Sequence, residues 1–306
     1  MLGTVYKSTG SWYKVKLVNG EFLDCKLFGK FRTKNLKSTN PVCVGDNVTV
    51  KITENQTPQI DEIHNRKNYL IRKSVKLSKQ YHLIASNIDL CFLIITLKNP
   101  ETSTMFIDRF LASTFSYNIE TVLLFNKIDQ IKKSENEDFN NLVSIYQNAG
   151  YECIETSGKK NINIDKVKKI MANKSCVFSG HSGVGKSTLI NNLDSSINIK
   201  TSPISESNSS GQHTTTFSEM YDLKFNARII DTPGIKGFGL YDVKNNELRD
   251  YFKEFTLIGS CKFNNCLHLE EPSCEVKKRV EEGSISKSRY SNYLELLSKI
   301  NNNFRL

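Results

Sequence analysis

The chain has 306 residues and a mass of 34.9 kDa, which is long enough for two or three domains. Of its formal net charge of +10, residues 1–80 carry +9 (15 Lys/Arg against 6 Asp/Glu), which predicts a polyanion-binding module unless lysines cluster there by chance. The longest apolar run, residues 88–97, is too short for a membrane helix, and the first residues lack the apolar core of a signal peptide, so we expect a cytoplasmic protein with no membrane partner.

The first 70 residues are predicted to form short strands and no helix. Polar and apolar residues alternate over residues 3–6, 12–18, 21–27 and 44–52. Asn19-Gly20, between two of these segments, is a strong hairpin signal. Four or five strands in this length predict a small Greek-key barrel of the oligonucleotide-binding (OB) type, although the pattern alone also permits an SH3-like barrel.

Basic and aromatic side chains are interleaved in and after the third predicted strand. The basic residues are Lys26, Lys30, Arg32, Lys34 and Lys37, and the aromatic residues are Phe22, Phe28 and Phe31. Such interleaving is typical of an oligonucleotide-binding face. The alternative is that the phenylalanines belong to the barrel core and the lysines are solvated.

The pattern changes after a Lys/Arg-rich segment, residues 65–80, which is predicted to be a basic connector. Strands and helices then alternate, as is typical of a parallel sheet with crossover helices. Strands are predicted at 90–96, 121–126, 152–156 and 175–179, and helices at 104–117, 136–149, 164–172 and 185–193. A mobile loop is predicted at 195–216, and further helices around 246–257 and 286–303.

A phosphate-binding motif joins the last of these strands to its helix. It matches G-x-x-x-x-G-K-[ST] and consists of Gly180, His181, Ser182, Gly183, Val184, Gly185, Lys186 and Ser187. Its glycines let backbone N–H groups surround phosphates, and the helix N-terminus adds a favourable field. Lys186 is predicted to reach the β- and γ-phosphates and Ser187 to bind Mg²⁺, and we include Thr188 in the nucleotide site.

A second motif predicts GTP rather than ATP as the nucleotide. Asn126, Lys127, Ile128 and Asp129 follow an apolar strand and form N-K-x-D. The Asp129 carboxylate can accept two hydrogen bonds, from guanine N1–H and N2–H, and adenine offers no matching pair of donors. Ser157, in Glu155-Thr156-Ser157-Gly158, is predicted to lie in a short loop behind the base.

A D-x-x-G element follows a later strand. Asp231 is predicted to hold Mg²⁺ through water, and the Gly234 N–H to meet the γ-phosphate. Because N-K-x-D precedes the phosphate-binding motif in this chain, the core is predicted to be circularly permuted. The segment after Gly234 leads directly into the C-terminal region, so GTP hydrolysis is predicted to move that region.

The catalytic residues also depart from the common GTPase pattern. Ile235 occupies the position of the usual water-orienting Gln, which predicts slow intrinsic turnover. His213 is the candidate to position or polarise the attacking water, and Thr215 to complete the Mg²⁺ shell; Lys186 is the third predicted catalytic residue. The alternative is that His213 only packs or caps a turn.

Four potential metal ligands cluster near the C-terminus. They follow Cys-x₄-Cys-x-His-x₅-Cys and are Cys261, Cys266, His268 and Cys274. Three sulfurs and one imidazole complete a closed tetrahedral set, which predicts one structural zinc ion and leaves no position for a catalytic water.

Together these features resemble the bacterial ribosome small-subunit-dependent GTPase A (RsgA) family over essentially the whole chain. The resemblance implies a multidomain α/β protein: an OB-fold RNA-binding domain (1–70), a circularly permuted P-loop GTPase domain with helices on both faces of a parallel sheet (71–240), and a helical zinc-binding domain (241–306). It also implies GTP hydrolysis to GDP stimulated by the small ribosomal subunit, contacts with ribosomal RNA, and a late checkpoint role in subunit assembly. We expect a monomer.

Two other interpretations remain open at the sequence level. One is a GTP-dependent RNA-binding module whose hydrolysis is incidental. The other is a P-loop ATPase or kinase that carries zinc, which nucleotide competition would distinguish.

Overall fold

The computed structural model describes residues 1–28, 40–73, 81–197, 218–231, 240, 243–256 and 261–301. The chain divides into two compact units. The first comprises Met1–Cys91, Lys168–Ser179 and Leu193–Gly237, and the second comprises Phe92–Val167, Gly180–Asn192 and Phe238–Leu306.

Five strands of the first unit form a barrel. They are β1 (Leu2–Ser8), β2 (Tyr13–Leu17), β3 (Phe22–Leu27), β4 (Asn47–Lys51) and β5 (Gln59–Ile63). Strand β1 pairs antiparallel with β2 and β4, β2 pairs antiparallel with β3, and β5 closes the ring between β3 and β4. Alternate side chains point inward, and Val5, Val15, Cys25, Val48 and Ile60 lie in the core. The predicted OB-type barrel is confirmed.

Two of the three aromatic residues predicted for the nucleic-acid face lie on the barrel surface rather than in its core. Phe22 and Phe28 have exposed fractions of 44% and 40%. Phe31 and the basic residues Lys30, Arg32, Lys34 and Lys37 lie outside the described residues.

A two-stranded hairpin follows the barrel. Strands β6 (Tyr69–Lys73) and β7 (Tyr81–Ser86) are antiparallel, with buried Leu70 opposite buried Ala85. The prediction of a connector over residues 65–80 was therefore wrong where β6 lies. The neighbouring lysines and arginines concealed the apolar pattern of this strand.

A buried carboxylate connects the barrel to this hairpin. Asp46 accepts hydrogen bonds from Arg66 Nε at 2.6 Å and from Ser86 Oγ at 2.5 Å. The preceding residue, Gly45, has φ of +93°, and a Cβ atom built there would lie 2.1 Å from the Ser86 carbonyl oxygen. A side chain therefore does not fit at this contact.

The second unit contains most of the alternating strands and helices. Its strands are β8 (Leu90–Ile95), β9 (Thr121–Phe125) and β10 (Glu152–Glu155). The first residues of β8 belong to the first unit. Strand β9 lies between β8 and β10 and runs parallel to β10. The helices are α1 (Thr104–Ser116), α2 (Asn136–Asn148), α3 (Ile164–Met171) and α4 (Lys186–Leu193), although the last residues of α3 and α4 belong to the first unit. All seven elements were predicted within one or two residues.

Three further strands belong to the first unit. They are β11 (Ser175–Ser179), β12 (Glu219–Asp222) and β13 (Arg228–Asp231). Strands β11 and β13 are parallel, whereas β12 runs antiparallel to β13 and also pairs antiparallel with β1. Strand β12 was not predicted, since it is four residues long and contains only one buried residue, Met220.

The C-terminal part of the second unit is helical, as predicted. Its helices are α5 (Asn245–Leu248), α6 (Lys253–Thr256), α7 (Glu275–Glu281) and α8 (Lys287–Asn301). They share one apolar cluster that includes Phe252, Phe255, Tyr293 and Leu296. Within the described ranges, no helix has the length and apolar character needed to cross a membrane.

Candidate nucleotide and metal sites

The phosphate loop, residues 180–185, follows the last residue of β11 and leads into α4. A Cβ atom at Gly180 would lie 2.8 Å from the Ile94 carbonyl oxygen, and one at Gly185 would lie 2.5 Å from Asn126 Nδ2. Both residues have positive φ, so the close approach of the neighbouring groups and the backbone conformation each require glycine. Lys186 and Ser187, both half-buried, begin α4, where the helix N-terminus favours an anion.

The base loop, which we define as residues 126–129, is joined to the phosphate loop by the buried side chain of Asn126. Its Nδ2 donates to the Val184 carbonyl oxygen at 2.7 Å. Its Oδ1 accepts from the Gly158 N–H at 3.2 Å and from Thr156 Oγ1 at 3.3 Å. Asn126 therefore holds together the base loop, the phosphate loop and the loop that contains Ser157.

The other polar side chains of the base loop form hydrogen bonds with neighbouring loops. Lys127 has left-handed backbone with φ of +65°, and its Nζ donates to the Asn99 carbonyl oxygen at 2.5 Å. Burial lowers the pKa of the Lys127 ammonium. The exposed Asp129 carboxylate accepts a hydrogen bond from Ser157 Oγ at 2.5 Å, which orients the carboxylate. Ile128, between Lys127 and Asp129 in the sequence, is half-buried.

Three residues that support this site were not predicted as site residues, although Thr156 and Gly158 lie in the loop predicted behind the base. Thr156 and Gly158 flank the predicted Ser157, and Asn192 of α4 donates through its Nδ2 to the Gly158 carbonyl oxygen. The position of Thr156 and Gly158 after β10 was the available signal. No sequence signal pointed to Asn192.

The other residues predicted for the nucleotide site differ in burial, and some lie outside the described residues. In the phosphate loop Val184 is buried, His181 and Gly183 are half-buried, and Ser182 is exposed, as is Thr188 in α4. Asp231, half-buried, ends β13 in the first unit. His213, Thr215 and Gly234 lie outside the described residues, so their predicted roles stay predictions.

The predicted metal ligands converge on one point. The ligand atoms of Cys261, Cys266, His268 and Cys274 all lie within 4.8 Å of one another. His268 Nδ1 is 3.3–3.6 Å from the three sulfurs, and the Cys261 and Cys274 sulfurs are 3.9 Å apart. Around a tetrahedral zinc ion these edges would be about 3.6 Å and about 3.8 Å. The donor set therefore fits the predicted metal.

Burial keeps the ligands of the cluster uncharged while no cation is bound. Burial raises the pKa of the Cys266 thiol to about 12 and lowers the pKa of His268. Neutral ligands are therefore preferred until a cation supplies compensating charge and deprotonates the thiols.

Hydrogen bonds between side chains and the backbone hold the loop that contains the cluster. Glu271 accepts from the Leu267 N–H at 2.6 Å, and Tyr290 Oη donates to the His268 carbonyl oxygen at 2.6 Å. Arg249 Nη1 donates to the Cys266 carbonyl oxygen at 2.7 Å. These supporting residues were not predicted, because they lie up to 22 residues from the ligands they position.

Two family models match this chain. The model described as RsgA GTPase matches residues 63–241, and the model described as RsgA N-terminal domain matches residues 2–60. The chain belongs to the RsgA GTPase family. Two curated relatives, from Christiangramia forsetii and Flavobacterium johnsoniae, are each named small ribosomal subunit biogenesis GTPase RsgA. Each is 54% identical over 100% of this chain, and the match covers 98% and 95% of the relatives.

Solved structures agree with the RsgA assignment. The crystal structure of YjeQ from Thermotoga maritima is similar with a TM-score of 0.81 and 32% identity over 98% of both chains. The structure of YloQ, titled a circularly permuted GTPase, is similar with a TM-score of 0.77 and 27% identity over 99% of this chain and 95% of YloQ. The predicted permuted GTPase fold is thereby confirmed, and the chain is a GTPase.

Proposed function

We propose that this RsgA-family GTPase binds the small ribosomal subunit and hydrolyses GTP there, as a late checkpoint in subunit assembly that the subunit itself stimulates. The structural observation that supports the nucleotide part is the Asn126 junction, a set of hydrogen bonds between the N-K-x-D loop and the phosphate loop. The relatives named small ribosomal subunit biogenesis GTPase, identical at 54% of positions, support the partner.

The division of roles follows from the chemistry of the residues. Asp129 reads guanine, Lys186 neutralises the β- and γ-phosphates, and the Gly234 N–H meets the γ-phosphate. Ser187, Thr215 and Asp231 are the residues that would hold magnesium, which supplies charge neutralisation when bound. His213 positions the attacking water, since Ile235 offers no polar group for this purpose.

Ribosomal RNA is the proposed partner of the barrel. On its surface Trp12, 43% exposed, lies under Lys26 Nζ at 4.6 Å from the ring centroid. Phe22 lies in the same way under Lys14 Nζ at 5.1 Å. Exposed aromatic faces beside lysines can stack bases and contact phosphates. The net charge of +9 in residues 1–80 agrees with this role.

The remaining proposals concern organisation. We assign RNA binding to residues 1–70, GTP hydrolysis to 71–240 and the metal-bound region to 241–306, and we propose zinc as the metal because three thiolates and an imidazole suit it. The protein would act in the cytoplasm as a monomer.

The test is GTP hydrolysis with and without purified small subunits, with large subunits as the control. The proposal expects slow turnover alone and strong stimulation by small subunits only. His213→Ala should remove the stimulation and spare nucleotide affinity. Equal rates with and without small subunits would contradict the proposal.

A further inference from the structure

One side chain of the phosphate loop rests on helix α1. The rings of His181 and Phe106 have centroids 4.0 Å apart and planes inclined by 33°. This separation is shorter than the roughly 4.5–7 Å usual for aromatic pairs, and both side chains are half-buried. The His181 side chain therefore packs closely against a residue of α1.

This contact holds the end of the loop opposite to the Asn126 junction. Asn126 anchors Val184 near the C-terminal end of the loop, whereas His181 is its second residue. Ser182 and Gly183 lie between these two anchors, and the N-terminus of α4, whose N–H groups also face phosphates in such motifs, follows directly. Fixing both ends reduces the conformational entropy that nucleotide binding must remove.

Helix α1 is itself fixed by α8. Asp108 is fully buried, and its carboxylate accepts from Arg289 Nη1 at 2.7 Å and Asn292 Nδ2 at 2.6 Å. Residues 106 and 108 are two positions apart in the helix, so they project about 200° apart. Helix α1 thus directs the Phe106 ring to the phosphate loop and the Asp108 carboxylate to α8.

Helix α8 also contacts α6 and the apolar cluster that includes two of the metal ligands. Arg289, 2% exposed, also donates to both carboxylate oxygens of Glu254 at 2.7 Å. Tyr293 of α8 shares an apolar cluster with the ligands Cys266 and Cys274.

We propose that Phe106 is a positioning residue for nucleotide binding: its ring supports His181 in the phosphate loop, and the contacts of α8 with Asp108 hold α1 where this support is given. This role depends on guanine-nucleotide binding and not on the ribosomal partner. It is separate from the D-x-x-G segment, which also leads to the C-terminal region.

The first test compares Phe106→Ala, Phe106→Tyr and Phe115→Ala in the full chain, without ribosomal subunits. Phe106→Ala should raise the Kd for GDP and the KM for GTP about threefold to tenfold, the range expected for an aromatic pair, with kcat within about twofold. Phe106→Tyr keeps the ring and should restore the parent values. Phe115 is 37% exposed on the same helix, so Phe115→Ala should change neither value.

The second test asks whether the Phe106, His181 and Asn292 variants weaken GDP binding through the same contact. The double variant Phe106→Ala/His181→Ala should bind GDP no more weakly than the worse single variant, because both remove the same contact. Asn292→Ala, a milder change than loss of Arg289, should weaken GDP binding in the parent by no more than Phe106→Ala does, and should have no effect in the Phe106→Ala background.

Three results would overturn the proposal. They are a Kd for GDP within twofold of the parent in Phe106→Ala, an equal loss in Phe115→Ala, and independent effects in the double variants. Because every measurement uses nucleotide alone, failure of subunit stimulation would contradict the proposed function and leave this inference standing.

Discussion

Replacing Asn126 with Asp changes one atom of the junction between the base loop and the phosphate loop. The amide that donates to the Val184 carbonyl oxygen at 2.7 Å becomes a carboxylate oxygen, while the acceptor for Gly158 and Thr156 is retained. Asn126 is 4% exposed, so water does not replace the lost donor. A buried carbonyl left without a partner costs about 1–3 kcal/mol, and the repulsion between the two oxygens adds to this.

That free energy acts on the phosphate loop, since Val184 lies within it. If nucleotide binding must restore the loop, 1–3 kcal/mol corresponds to a loss of about fivefold to 150-fold in GDP affinity. The assay is a fluorescence titration with labelled GDP. Asn141→Asp makes the same change at an exposed position of α2 and should leave the affinity unchanged. A Kd for Asn126→Asp within twofold of the parent would refute the junction as a determinant of nucleotide binding.

Three further predictions use other parts of the molecule. Asp129→Asn should weaken GTP binding and favour xanthine nucleotides, because the amide donates where the carboxylate accepted; competition between the two nucleotides measures this. Gly45→Ala should lower stability by roughly 2–5 kcal/mol through strain and the clash with Ser86, whereas Gly10→Ala, with φ of +85° and open space, should cost about 1–2 kcal/mol; thermal melts compare them. Cys266→Ser should abolish bound zinc, measured by elemental analysis, and a full complement of zinc would contradict the ligand assignment.

The sequence predicted the parts of the structure that depend on local pattern. Alternation identified β1 to β4 of the barrel but not β5, and the apolar segments 121–126 and 175–179 identified β9 and β11. Strand β6 was not predicted, because basic residues surround its buried Leu70 and interrupt the apolar pattern. Strand β12 was missed because it is short and offers little apolar signal.

The sites divide in the same way. Motif spacing predicted Asn126 and the four metal ligands, because their chemistry requires fixed residue types. The hydrogen bond from Asn126 to Val184 spans 58 residues, and the contact of Phe106 with His181 also joins distant segments. Such contacts depend on how the elements pack, which no local pattern records.

We propose that this chain is a guanine-nucleotide switch for small-subunit binding rather than an RNA-binding module with incidental hydrolysis. The direct measurement is the affinity of the protein for small ribosomal subunits in the presence of GDP and of a non-hydrolysable GTP analogue. A coupling of about 1–3 kcal/mol predicts affinities that differ about fivefold or more. Equal affinities with the two nucleotides would contradict the switch and favour the incidental-hydrolysis alternative.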